Sequence, residues 1–213
     1  MTGLVENAAD TPDLVGNDDN SGPNKRPTRY LALHFTASLI RERGLGVSMD
    51  EVAIASGIGR RTLFRYFPSR DAMVAMAVAN TLDQYETDLA GIPTGDMTLH
   101  DWLRGCILTV HQAHIDAGRG LWEIAALADD VLPADLRIVN RRRRDHWRSF
   151  TVSLAEQAWR RADGHGDVPA EIVEAVALSV SSFATQSMLR DFGTTLESVA
   201  TTTAMMLELF LTE

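Results

Sequence analysis

From about residue 28 onward, apolar side chains recur three and four positions apart, with no sustained alternation and no glycine-bounded run of β-branched residues. That pattern predicts an all-α chain of about nine helices. One helix is expected from Ser69 to Leu89, carrying the stripe Met73, Ala77, Thr81, Tyr85 and stopped by Gly91-Ile92-Pro93-Thr94-Gly95. Another starts at Thr98, where Thr98 and Asp101 resemble a capping box, and runs to Gly118 with Leu99, Leu103, Cys106 and Val110 on one side. A short sixth helix holds Leu121 to Ala128, and a seventh runs from Pro133 to about Arg161. After Gly164-His165-Gly166, Pro169 opens an eighth with Ile172, Val173, Val176, Ala177, Val180 and Phe183. Thr194 and Glu197 cap a ninth with Leu196, Val199, Thr203, Met206, Leu207 and Phe210 at helical spacing.

The N-terminal third carries sharper signals. In Ser48-Met49-Asp50-Glu51 a hydroxyl and a carboxylate three residues apart can each accept a backbone N–H at the other's end, so Ser48 should start a helix. Val52, Ala53 and Ala55 give that helix an apolar side, and Ser56-Gly57-Ile58-Gly59 breaks it with two glycines around one buriable residue. A second short helix, Arg60 to Tyr66, sets Leu63 and Phe67 on one face and Arg60, Arg61 and Arg65 on another. Pro68 disfavours helical geometry at Phe67 and ends it. This is the layout of a helix-turn-helix, in which the second helix meets base edges.

These residues resemble the tetracycline-repressor (TetR) family of transcriptional regulators: Ser48-Met49-Asp50-Glu51-Val52-Ala53, then Gly57-Ile58, then Thr62-Leu63-Phe64-Arg65-Tyr66-Phe67-Pro68-Ser69-Arg70, with Leu39-Ile40-Arg41-Glu42-Arg43-Gly44 upstream. The resemblance runs from about Thr28 to Met76. It implies a DNA site made of Ser48, Arg60, Arg61, Thr62, Arg65, Tyr66 and Arg70, with Arg60 and Arg61 at the groove and Ser48, Thr62, Tyr66 and Arg70 on phosphates. Two positions depart from the family pattern: Gly59 stands where a Ser or Thr cap is frequent, and Phe64 where a phosphate-binding Tyr is common.

Charge divides the chain the same way. The whole is −9, yet residues 25–70 hold nine basic and three acidic side chains, whereas residues 1–24 carry −5 and residues 71–213 carry −10. A basic module on an acidic body suits a protein that touches DNA with one end. The division expected is a disordered acidic tail (1–24), a DNA-binding domain (25–70) and a helical effector-binding and dimerisation domain (71–213). Lys25, Arg26 and Arg29 form either a minor-groove arm just before the first helix or a linker with incidental charge.

The final two helices, about 169–211, have little charge between Ala175 and Leu189, and the family resemblance implies a four-helix homodimer interface there. Val180 and Met206 are the positions expected to face the partner. Trp102, His111, Trp122, Trp147 and Phe183, with His114 and Phe150 nearby in the pattern, are large side chains suited to an apolar or aromatic effector. His111 and His114 lack the third ligand a metal site needs, so no metal or other cofactor is expected. Arg141-Arg142-Arg143-Arg144 fans around a helix and reads first as a solvated face, while the aligned Arg137, Arg141, Arg144 and Arg148 could pair with Asp129, Asp130 or Asp135, or with an acidic ligand. Apolar runs such as Met73 to Ala79 are far short of the ~20 residues that span a bilayer. The N-terminus has no secretory pattern, and the single Cys106 fits a reducing cytoplasm. No phosphate loop, nucleophile elbow or paired Cys motif suggests an enzyme. The reading is a cytoplasmic repressor that binds double-stranded operator DNA and is released by a small effector. The alternative is an architectural or partner-regulated DNA binder without a pocket.

Overall fold

The computed structural model describes residues 25–212, so the tail expected over 1–24 lies outside the described residues. Those residues form helices and turns throughout: α1 (Lys25–Arg43), α2 (Met49–Ser56), α3 (Arg60–Tyr66), α4 (Arg70–Leu89), α5 (Leu99–Ala126), α6 (Ala134–Arg161), α7 (Ala170–Ser179), α8 (Ser182–Gln186) and α9 (Leu196–Thr212). A 3-10 turn at Asp129–Val131 precedes α6, and a π-helical turn at Ser187–Asp191 follows α8.

Local chemistry sets the boundaries. Ser48 Oγ accepts from Glu51 N at 3.2 Å while Glu51 Oε2 accepts from Ser48 N at 2.8 Å, closing the capping box at α2. Gly57, at φ 67°, supplies the left-handed residue that ends α2. Phe67 is extended, as the following proline requires, and Ser69 caps α4 by accepting from Ala72 N at 3.0 Å. Thr98 caps α5 through Asp101 N at 3.1 Å.

Helices α1–α3 make a small head whose core includes Leu39, Val52, Ile58, Leu63 and Phe67. Helices α4–α9 make the body. Helix α5 is its axis, packing on α4, α6, α8 and α9, and both α4 and α5 also pack on α1, so the head is held by two body helices.

Two expectations change. The basic segment at 25–29 is not an arm ahead of the first helix but the first turn of α1, where Pro27 is tolerated because first-turn N–H groups have no helical partner. The break expected at Gly118 is present: the predicted fifth and sixth helices follow one another along α5 and are divided there by non-helical geometry (φ 73°, ψ −167°). A Cβ there would lie 2.3 Å from Arg41 Cγ and 2.8 Å from the Arg41 carbonyl oxygen, and one at Gly120 would lie 2.1 Å from Ile40 Cγ2. Glycine lets the kinked α5 press its backbone against the last turn of α1. The predicted eighth helix is likewise interrupted at Val180–Ser181, where Ser181 caps α8. Ala170–Asp191 nevertheless forms a 22-residue segment long and apolar enough by composition to cross a membrane, longer than any run expected from the sequence.

Candidate functional site

Leu63 and Phe67 bury one side of α3 against α1 and α2, which fixes the orientation of the other side. That side presents Arg61 and Arg65 to solvent, with Phe64 between them. Arg61 has no hydrogen-bond or ion-pair partner among the described residues, so its guanidinium donors are free. Arg65 lies 5.2 Å from the Tyr66 ring and donates to the Tyr66 hydroxyl at 3.4 Å. Arg60 spans Asp50 at 3.0 Å and the Phe64 ring at 5.5 Å. Such an exposed ion pair is worth only about 0–1 kcal/mol, so exchanging it for a base or phosphate costs little.

Thr62 is half-buried beside these groups. Gly59 starts α3 without a side-chain cap, leaving that role vacant as the sequence suggested. Two positions assigned to phosphates are engaged inside the chain. The Ser48 hydroxyl donates to Glu51 Oε2 at 2.8 Å. Arg70 donates from Nε to the Val47 carbonyl at 2.8 Å, also to the Leu45 carbonyl, and pairs with Asp71 at 2.6 Å. Arg70 thus staples the α1–α2 corner to α4.

Residues 32–77 match the family model described as bacterial regulatory proteins, tetR family. This segment belongs to the tetR family. Solved structures share its fold. A Pseudomonas aeruginosa PAO1 protein described as a transcriptional regulator is similar with a TM-score of 0.64 at 14% identity, covering 93% of this chain and 96% of that one. A tetR-family regulator from Streptomyces coelicolor is similar with a TM-score of 0.63 at 16% identity, over 85% of this chain and 79% of that one. A Vibrio parahaemolyticus protein described as a TetR-family regulator gives 0.55 at 18%, over 83% and 96% respectively. No protein of curated function matches the sequence. The helix-turn-helix at α2–α3 is therefore the DNA-binding element of a tetR-family transcription regulator.

The body holds a buried polar cluster on α4, α5 and α6. Tyr85 stacks on His114 at 5.4 Å, His114 meets Trp147 at 5.3 Å, and Trp147 stacks on Phe150 at 5.7 Å. His114 Nε2 lies 2.9 Å from the Val180 carbonyl, which can only accept, so Nε2 carries the proton and Nδ1 is a bare lone pair. His111 Nδ1 sits 2.6 Å from the Thr185 hydroxyl. Burial pushes both imidazoles down to about 4, so both are neutral near pH 7. Tyr85 Oη, His114 Nδ1 and Thr151 Oγ are buried with no hydrogen-bond partner. Of these, His114 stood in the sequence pattern, whereas Tyr85 and Thr151 were not singled out for a pocket; unsatisfied polar atoms mark them, and only tertiary structure exposes that signal.

Among the residues predicted for a pocket, His111 and Trp147 join this cluster through His114, and Trp122 donates to the His114 carbonyl at 3.0 Å, beside the Gly118 kink. Trp102 is engaged elsewhere, donating to the Pro93 carbonyl at 2.8 Å beneath Arg161. Phe183 is 56% exposed and so lies outside this buried cluster. Val180, expected at a partner surface, is fully buried. Cys106 is a buried thiol that burial pushes up to about 12, an unreactive state. No group of three or more His, Cys, Asp or Glu side chains suited to a metal ion occurs among the described residues.

Proposed function

We propose that the chain is a dimeric repressor that leaves its operator when a small molecule occupies the polar cluster of the body. The observation that carries this reading is the joint between α5 and the head. Beyond the Gly118 kink, Glu123 Oε2 accepts from Leu45 N at 2.7 Å in the α1–α2 corner, and Arg119 holds the other oxygen at 2.7 Å. The same α5 carries His111 and His114, so a ligand that alters their packing shifts a helix clamped to the DNA-binding head. For release to follow, that ligand has to bind the form unable to fit DNA more tightly than the form that fits.

The dimer rests on the outer side of α7–α9, where Leu178, Phe192, Met206, Leu209 and Phe210 are exposed. A patch of this kind on a monomer signals a protein contact. Met206, 65% exposed, is the place to disturb it.

One experiment tests the reading. Compounds that raise the melting temperature of the full chain are titrated into its operator complex, with wild type and Glu123→Ala compared. The reading expects compounds that release wild-type DNA and that bind Glu123→Ala equally well while releasing it at much higher concentration. Equal release from both removes the Glu123 joint from the mechanism, and stabilising compounds that never affect operator affinity contradict effector control.

A further inference from the structure

The arginine run of α6 is not one solvated face. Arg142 pairs with Asp83 at 2.6 Å and Glu86 at 2.7 Å, and Arg144 grips both Asp129 oxygens at 2.7 and 2.6 Å. Arg143, between them, has no carboxylate partner among the described residues, although it is half-buried; its Nε donates only to Asn140 Oδ1 at 3.0 Å. Burial and the neighbouring Arg144 disfavour its charge and Asp129 acts on it only at longer range, so an anion in direct contact would be favoured.

Arg143 borders a cleft of about 280 Å³ between α6 and α7, lined also by Trp147, Arg148 and Thr151 and closed by Val173 and Ala177. Thr151 is 3% exposed, and its hydroxyl has no hydrogen-bond partner. The ordinary alternative for a helical threonine, a bond to a carbonyl one turn back, is not made. The cleft therefore combines an unpaired cation, an unsatisfied hydroxyl, an indole wall and an aliphatic wall. Its volume is at the small end for ligand sites, which limits an occupant to one or two rings.

We infer that this cleft takes a mono- or bicyclic aryl carboxylate, its carboxylate held by Arg143 and the Thr151 hydroxyl and its ring laid against Trp147. The inference rests on the effector reading above and names the ligand class for it. A carboxylate suits a guanidinium because two parallel N–H donors meet two oxygens. Trp147 is also the ring that touches His114 on α5, which places the ligand one side chain from the helix bearing the kink.

The test uses benzoate, phenylacetate, 1-naphthoate and 2-naphthoate, each beside its neutral amide, with tryptophan fluorescence of the full-length protein as the readout. At least one acid should bind more tightly than its amide by about 10–100-fold, the range for a charge-assisted hydrogen-bonded contact. Arg143→Gln should erase that preference, Thr151→Val should reduce it, and Arg141→Gln on the same helix should leave it intact. The acid–amide comparison on wild type stands even if a variant fails to fold. The absence of acid binding at about 10 mM overturns the inference, as do equal affinities of acid and amide or an unaltered preference in Arg143→Gln. An acid that binds through Arg143 without releasing operator DNA supports the ligand class while overturning the release reading.

Discussion

Replacing Gly118 by alanine strikes the joint between body and head. At φ 73° and ψ −167° the backbone occupies a region essentially confined to glycine, and holding another residue there costs about 1–3 kcal/mol. The new methyl would sit 2.8 Å from the Arg41 carbonyl oxygen and 3.0 Å from Arg41 Cα, which are backbone atoms that cannot swing aside. Overpacking of that kind costs about 1–3 kcal/mol more. The expected loss is about 4 kcal/mol, a large share of the ~5–15 kcal/mol that holds a typical domain. It should lower Tm by about 8–16 °C in a chain of this size. Gly46, whose Cβ would meet nothing within 4 Å, is the control, and Gly46→Ala should stay within about 0.5 kcal/mol of wild type. Urea unfolding at one fixed protein concentration compares the three proteins. A Gly118→Ala midpoint indistinguishable from wild type would show that the kink is not required by its packing on α1.

Arg61→Ala should cost about 1–3 kcal/mol on operator and far less on scrambled duplex at the same salt, because its donors are free to meet base edges; equal losses would assign it to phosphate. Arg70→Ala should reduce stability by about 2 kcal/mol by stripping the Leu45 and Val47 carbonyls of a charged donor, yet leave the slope of log K against log salt within one unit of wild type. A slope reduced by a full unit with unchanged stability would return Arg70 to the DNA contact. His111 and His114 bind protons near 6.5 when unfolded and only near 4 when folded, so the unfolded state takes up more protons between these values. Stability should therefore fall as pH drops from about 6.5 towards 4 and be flat through these groups above it, and a His114→Gln protein should show a shallower fall. An identical pH profile in that variant would remove His114 from the effect.

The parts of this fold that were legible in the sequence are those decided within a few residues. The Ser48–Glu51 capping box, the left-handed Gly57 and the extended Phe67 before Pro68 each follow from neighbours along the chain. The break at Gly118 was legible too, as a glycine closing a long apolar stripe, but its close approach to Arg41 of α1 was not, because that contact joins segments far apart in the chain. Val180 resembled its apolar neighbours, but only the packed body shows that its side chain is covered while Leu178 is exposed. The carbonyl partners of Arg70 could not be read from its position, because they lie more than twenty residues earlier. The arginine run needed tertiary structure most, since helical angle alone could not show that Arg142 and Arg144 have acids and Arg143 does not.

The central claim is that α3 reads a specific DNA sequence as part of a symmetric pair. Selection of bound duplexes from a random pool by the full-length protein tests it most directly, with the same selection repeated on Arg61→Ala. The account predicts a two-fold symmetric sequence with half-sites about one helical turn, ~34–36 Å, or a multiple apart, bound by two chains and no longer enriched by Arg61→Ala. Enrichment of no sequence, or of one that Arg61→Ala selects equally well, would contradict it.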